Sequence, residues 1–134
     1  MMSDRSRAAF GLLIAAQAAH SVEEYVTRMY DVFAPAEFVS RLFSSNLQVG
    51  FAIFNGVLVL FGVWCYVARV RTAHANERVY AWFWTILEAG NGVGHLLLAL
   101  VAGGYFPGVA TAPVLLALAY YLGAGLTEAH GRHA

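Results

Sequence analysis

Four long stretches of the chain consist almost entirely of apolar residues. They cover about residues 8–27, 47–68, 79–102 and 111–126. Each is close to the roughly 20 residues that a helix needs to cross the hydrocarbon core of a bilayer. The pattern predicts an all-α polytopic membrane bundle of four transmembrane helices that forms a single domain over residues 1–134.

Residues 35–45, between the first two spans, have a different pattern. Phe38, Val39, Leu42 and Phe43 recur at helical spacing, with polar residues on the opposite side. This pattern predicts a short amphipathic helix at the membrane interface. The helix could be a simple connection or a lid over a site.

Composition supports the membrane class. Hydrophobic residues make up 60% of the chain and charged residues 12%, whereas soluble domains have about 25% charged residues. Such a sequence is too apolar for a disordered chain, and too short to bury so much apolar surface as a soluble domain. Eight basic and eight acidic residues balance, so no basic patch for nucleic acid is expected. The single Cys65 excludes an internal disulfide and thiolate metal sites.

The arginines predict an orientation. Arg5, Arg7, Arg69, Arg71, Arg78 and Arg132 lie on one side of the predicted spans, and Arg28 and Arg41 lie on the other. The positive-inside rule then places both termini in the cytoplasm. Because the chain lacks Lys and is rich in Ala and Gly, we expect a bacterial protein of the inner membrane. In an alternative interpretation, Arg5 and Arg7, the apolar run and Ala16-Gln17-Ala18 form a cleavable signal peptide.

Polar residues interrupt the predicted spans. The first span carries Gln17, His20, Glu23 and Glu24, the second Asn55, the third Glu88, Asn91 and His95, and the fourth Tyr120. An acid at the centre of a membrane helix costs about 2.5–3.5 kcal/mol, so such residues face the bundle interior and are functional candidates. At about 1.5 Å per residue, the His, Glu and Asn side chains fall at similar depths, towards the outer leaflet. This agreement predicts one buried polar site.

A metal centre is the leading hypothesis for that site. The expected ligands are His20, Glu23, Glu24, Glu88 and His95, around a zinc, iron or manganese ion. Gln17, Asn55, Asn91 and Tyr120 are expected as hydrogen-bonding partners of these ligands. An open site of this kind would activate water or oxygen towards a lipophilic small molecule, as a hydrolase or an oxidoreductase.

Two other interpretations remain open. Without metal, His20, Glu23 and Glu88 could act as acid and base in an isomerase. Alternatively, the polar residues could fix the bundle or relay protons in a non-enzymatic transporter or a partner-binding subunit. Arg28 follows Glu24 by four residues and offers it an ion pair, which would leave Glu23 as the working acid.

At His20-Ser21-Val22-Glu23-Glu24 the chain resembles the small membrane proteins named for an HXXEE motif. Further similarity lies in Glu88, Asn91, Gly94 and His95, and in Tyr105-Phe106-Pro107-Gly108. The resemblance extends from the first span to the start of the fourth. It implies a multi-pass membrane protein and no settled activity.

Overall fold

The computed structural model describes residues 1–131, in which helix is the only regular secondary structure. The helices are α1 (Asp4–Val26), α2 (Met29–Val32), α3 (Ala34–Phe43), α4 (Leu47–Cys65), α5 (Glu77–Ala102) and α6 (Ala112–Gly131), and a π-helical segment, Tyr66–Val70, extends α4. The prediction of an all-helical chain is confirmed, and the four long helices lie where the apolar stretches placed them. Arg132, used above for orientation, lies outside the described residues.

Local sequence explains where the long helices begin and end. The Ser3 side chain accepts from the backbone N–H of Ser6 at the start of α1, and Asn46 does the same for Val49 at the start of α4. These are the side chains that satisfy free N–H groups best at helix N-termini. At its end, α5 stops at Gly103, which has φ +70°, a conformation that glycine adopts without strain.

The main core lies between α1, α5 and α6. Phe10 and Leu13 of α1, Trp84 of α5, and Leu115 and Leu122 of α6 are fully buried there. Glu77 at the start of α5 links that helix to the start of α1. Its carboxylate accepts from the Met2 backbone N–H at 2.6 Å and from Arg7 Nε at 3.0 Å.

Helices α4 and α5 pack against each other through aromatic side chains near the loop that joins them. Trp64 packs edge-on against Tyr80 with ring centroids 5.7 Å apart, and Phe61 packs against Phe83 at 6.0 Å. Beyond these aromatic residues, the facing side chains of the two helices line a cavity instead of packing together.

The outward faces of the four long helices are apolar. Leu12, Val22, Leu60, Leu100 and Val101 are 59–87% exposed. In the described residues, no exposed position within 8–26, 47–68, 79–102 or 113–126 is charged. The buried polar side chains of these helices include Gln17, His20, Ser21, Glu24, Asn55, Thr85, Glu88 and His95. Polarity is therefore concentrated inside the bundle.

Two of these helices are long and apolar enough to cross a membrane, Leu47–Val70 and Glu77–Ala102. The apolar part of α6, Ala112–Glu128, is shorter. Helix α1 has the necessary length, but the polar residues that it turns inward lower its mean hydropathy.

Helix α3 confirms the predicted short amphipathic helix and shows which side faces outward. Phe38, Leu42 and Phe43 are exposed, whereas the polar Ser40 is buried against α4. This close approach is possible because position 50 on α4 is Gly, where any Cβ would overlap the Ser40 carbonyl group. Three of the four apolar residues of this helix face thus point away from the protein, and the fourth, Val39, is half-buried.

Candidate metal centre

Three ionisable side chains from two helices form a buried cluster. His20 and Glu24 lie one turn apart on α1, and His95 reaches them from α5. Their exposed fractions are 0%, 7% and 3%. Their potential ligand atoms all lie within 4.8 Å of one another, so this group could hold a metal ion. We call His20, Glu24 and His95 the His–Glu cluster.

Both imidazoles of the cluster are held through Nδ1. His95 Nδ1 lies 2.6 Å from the Pro107 carbonyl oxygen, which only accepts, so Nδ1 carries the proton and donates. His20 Nδ1 lies 2.6 Å from Thr111 Oγ1. The Thr111 hydroxyl donates its own proton to Glu23 Oε2 at 2.6 Å, so it accepts from His20. In a neutral ring with the proton on Nδ1, Nε2 is the atom that carries the lone pair.

The two Nε2 atoms converge on a single carboxylate oxygen. Glu24 Oε1 lies 3.0 Å from His95 Nε2 and 3.4 Å from His20 Nε2, and His20 Nε2 makes no hydrogen bond. Lone pairs that face each other in a buried site repel unless a proton or a metal cation lies between them. Ligand atoms about 2.0–2.1 Å from a tetrahedral metal ion are about 3.3 Å apart, so both spacings are close to those of a zinc site.

A tight turn between α5 and α6 closes over the cluster. Gly108 has φ +89°, and a Cβ there would lie 2.5 Å from His95 Nδ1 and 2.8 Å from His20 Cε1. Glycine is therefore needed both for the backbone conformation and for the approach of the turn to the two rings.

Glu23 holds this turn in place. Its carboxylate accepts from the backbone N–H groups of Ala110 at 3.0 Å and Thr111 at 2.9 Å, and from the Tyr105 hydroxyl at 2.5 Å. Partial burial and the adjacent carboxylate raise the pKa of Tyr105, which keeps its hydroxyl protonated as a donor. A negative charge at these N–H groups is also favourable because they precede the N-terminus of α6.

Glu88 forms a second polar group beside the cluster. It is fully buried. The Gln17 amide nitrogen donates to Glu88 Oε2 at 2.7 Å when the amide is turned towards that carboxylate, and the amide oxygen then lies 3.1 Å from Ser21 Oγ. Asn91 Nδ2 lies 3.4 Å from the same carboxylate. Asn55 lies one step further away, 2.8 Å from the Ser21 hydroxyl.

A cavity of about 580 Å³ reaches both carboxylates, Glu24 and Glu88. Its walls come from α1, α3, α4 and α5 and are mainly apolar. We call it the lateral cavity. Its size falls within the range of about 300–1,000 Å³ that is typical of small-molecule sites.

The structure corrects three expectations about individual residues. Glu23 is not a member of the cluster, because the turn before α6 occupies both its oxygens. Arg28 pairs with Asp31 at 2.6 Å and not with Glu24, which leaves Glu24 for the cluster. Tyr120 is 80% exposed, because it lies on the outer side of α6, and does not contact the site. Of the five proposed ligands, His20, Glu24 and His95 converge, and Glu88 lies nearby.

The sequence pattern gives no signal for Thr111, or for the Pro107 carbonyl, as a histidine partner. Thr111 is a single hydroxyl residue at the start of the fourth apolar stretch, and a backbone carbonyl leaves no trace in a side-chain pattern. The Tyr105-Phe106-Pro107-Gly108 stretch was the available signal, since it carried part of the family resemblance.

The remaining observation comes from comparison with known proteins. A family model described as "Protein of unknown function with HXXEE motif" matches residues 11–122. The chain belongs to the HXXEE family. In this member, the His and the last Glu of the HXXEE motif enter the cluster, and the other Glu holds the turn. Comparisons with curated proteins and with solved structures found no match.

Proposed function

We propose that this protein is an integral membrane enzyme whose four long helices all cross the bilayer. The apolar outward faces of these helices and their buried polar residues support this arrangement, since lipid is the solvent that tolerates such an exterior. The exposed Phe38, Leu42 and Phe43 of α3 would lie in the interface. The arginine distribution favours cytoplasmic termini and a bacterial inner membrane.

The proposed activity is metal-dependent hydrolysis of a lipophilic small molecule. The observation that carries it is the convergence of two Nδ1-protonated histidines, through Nε2, on one oxygen of Glu24. Histidine ligands of metals generally donate their other ring N–H to a carbonyl or carboxylate group, which fixes the tautomer. Here His95 Nδ1 donates directly to the Pro107 carbonyl. His20 Nδ1 donates to the Thr111 hydroxyl, which in turn donates to Glu23.

Two imidazoles and one carboxylate suit zinc best, with iron and manganese as alternatives. Three protein ligands are the number found in catalytic zinc sites, where the remaining position holds water and the metal lowers the pKa of that water. In that reaction, His20, Glu24 and His95 would hold the ion and orient it towards the lateral cavity.

Glu88 is the proposed general acid and base. It lines the same cavity as Glu24 without belonging to the cluster, as expected of a carboxylate that moves protons instead of binding metal. Gln17 would fix the orientation of its carboxylate. A purely structural role explains the site less well, because it leaves the buried Nε2 atom of His20 without a hydrogen bond although that atom points at Glu24.

Metal analysis of the protein, purified in mild detergent without chelators, tests the proposal. We expect stoichiometric metal in the wild type and in His74→Gln, a control in the exposed loop before α5, and loss of metal in His95→Gln. A wild type without metal, or His95→Gln with a full complement, would show that the cluster is not a metal centre.

The role of Glu88 needs a separate variant. Glu88→Gln preserves the shape of the side chain and should retain the metal while losing hydrolysis of lipophilic esters and amides. If Glu88→Gln loses the metal as well, Glu88 is a ligand and its assignment as acid and base is wrong.

A further inference from the structure

The lateral cavity opens between α4 and α5, on the side of the bundle that the proposed function exposes to lipid. Its α4 wall includes Phe54 and Leu58, and its α5 wall includes Ile86, Leu87 and Gly90. Ile86 is 67% exposed, and Leu87 and Gly90 are also exposed. These residues therefore form a rim and not a sealed wall.

The other walls of the cavity come from α1 and α3. On one side α1 contributes Gln17 and Glu24, and α3 contributes Pro35, Ala36 and Val39. Towards the loop between α4 and α5, the aromatic contacts Trp64–Tyr80 and Phe61–Phe83 bring the two helices together. A ligand that enters through the gap would pass apolar side chains first and meet the two carboxylates at the inner end.

Charge limits the ligands that this inner end accepts. With both Glu24 and Glu88 ionised, a divalent ion in the cluster would bring the formal charge at this inner end to zero. An ionised ligand head group would add an unbalanced charge to a buried apolar cavity, which is strongly unfavourable. A neutral head group that offers a carbonyl or hydroxyl oxygen avoids this penalty.

We infer that the substrate is an uncharged lipophile that enters from the bilayer through the gap between α4 and α5. Its neutral oxygen-bearing head lies at Glu24 and Glu88, and its chain lies along Phe54 and Leu58. This inference rests on the proposed metal-dependent function for its charge balance, whereas the route of entry rests on the cavity alone.

Photoreactive hexadecanol and photoreactive palmitate, each with a mid-chain diazirine, provide the test in lipid nanodiscs. We expect saturable labelling of Phe54 or Leu58 by hexadecanol. Labelling by palmitate at neutral pH should be weaker than labelling by hexadecanol by a factor of about ten or more. Glu88→Gln removes one negative charge and should increase labelling by palmitate. Equal labelling by the two probes, or labelling confined to outward side chains such as Leu60, would overturn the inference.

Two glycines of α5 provide a matched pair of variants. A Cβ at Gly90 or at Gly94 would have no neighbour within 4 Å, but only Gly90 lines the cavity. Gly90→Trp should reduce saturable labelling by about tenfold or more, and Gly94→Trp should leave it unchanged. Because a second copy packed on this face would be disturbed by both variants, equal loss in both contradicts the inference.

Metal content measured on the same samples separates the two proposals. Saturable labelling without bound metal would support the cavity and remove the metal-dependent function. Bound metal without saturable labelling would support the metal centre and overturn the inference about the substrate and its route of entry.

Discussion

Replacing Gly108 by alanine would place a methyl group against both imidazoles of the His–Glu cluster. The new Cβ would lie 2.5 Å from His95 Nδ1 and Cε1 and 2.8 Å from His20 Cε1. Gly103 is the matched control, because its φ is also positive, at +70°, and a Cβ there would have no neighbour within 4 Å. Both substitutions strain the backbone, but only Gly108→Ala disturbs the cluster.

The size of the effect follows from these distances. The left-handed backbone costs an alanine about 1–2 kcal/mol at either position. At position 108, a contact of 3.4 Å would require the His95 ring to move by about 0.9 Å. That movement would break the 2.6 Å bond to the Pro107 carbonyl. Loss of such a partner typically weakens metal binding 10–100-fold, or by about 1.4–2.8 kcal/mol.

Competition with a chromophoric chelator measures this difference in zinc affinity, and thermal unfolding without metal measures the shared backbone strain. We expect both alanine variants to be destabilised, and only Gly108→Ala to bind zinc more weakly. Wild-type zinc affinity in Gly108→Ala, or an equal loss in Gly103→Ala, would refute the assignment of His95 as a ligand held by the turn.

Three further predictions concern other parts of the molecule. Thr111→Val should weaken zinc binding about 10–100-fold, whereas Thr111→Ser, which keeps the hydroxyl, should restore it. Gly50→Ala should lower stability by about 1–3 kcal/mol in thermal unfolding because it separates α3 from α4, and Gly56→Ala, which meets no neighbour, should not. Leu60→Arg should raise the apparent free energy of insertion in a membrane-integration assay by about 3–4 kcal/mol; insertion as efficient as that of the wild type would argue against lipid contact at this position.

The four long helices were predictable because each carries a sustained apolar run, and two of them begin at a recognisable cap, Ser3 or Asn46. The short helix α2 was not, since four residues that follow Arg28 in a left-handed conformation leave no periodic pattern. The π-helical segment Tyr66–Val70 was missed for a related reason. A one-residue change in hydrogen-bond register hardly alters the apolar pattern.

The candidate site was predictable in its members more than in their roles. Burial cost alone identified His20, Glu24, Glu88 and His95 as inward-facing residues. Burial cost could not separate Glu23 from Glu24, because both lie one turn from His20 and the cost of burying an acid is the same for either. Which of the two reaches His95 depends on where α5 and α6 pack around α1, and that placement is a long-range property of the fold.

The turn that contacts His95 contributes a main-chain carbonyl, and the groups that bind Glu23 include two main-chain amides. Part of the chemistry there therefore depends on the path of the backbone and not on particular side chains. Position 107 should consequently accept several residue types among relatives, provided that the carbonyl keeps its direction. Position 108 should admit almost no change. Comparison of only the histidines and acids of two relatives would overlook this constraint.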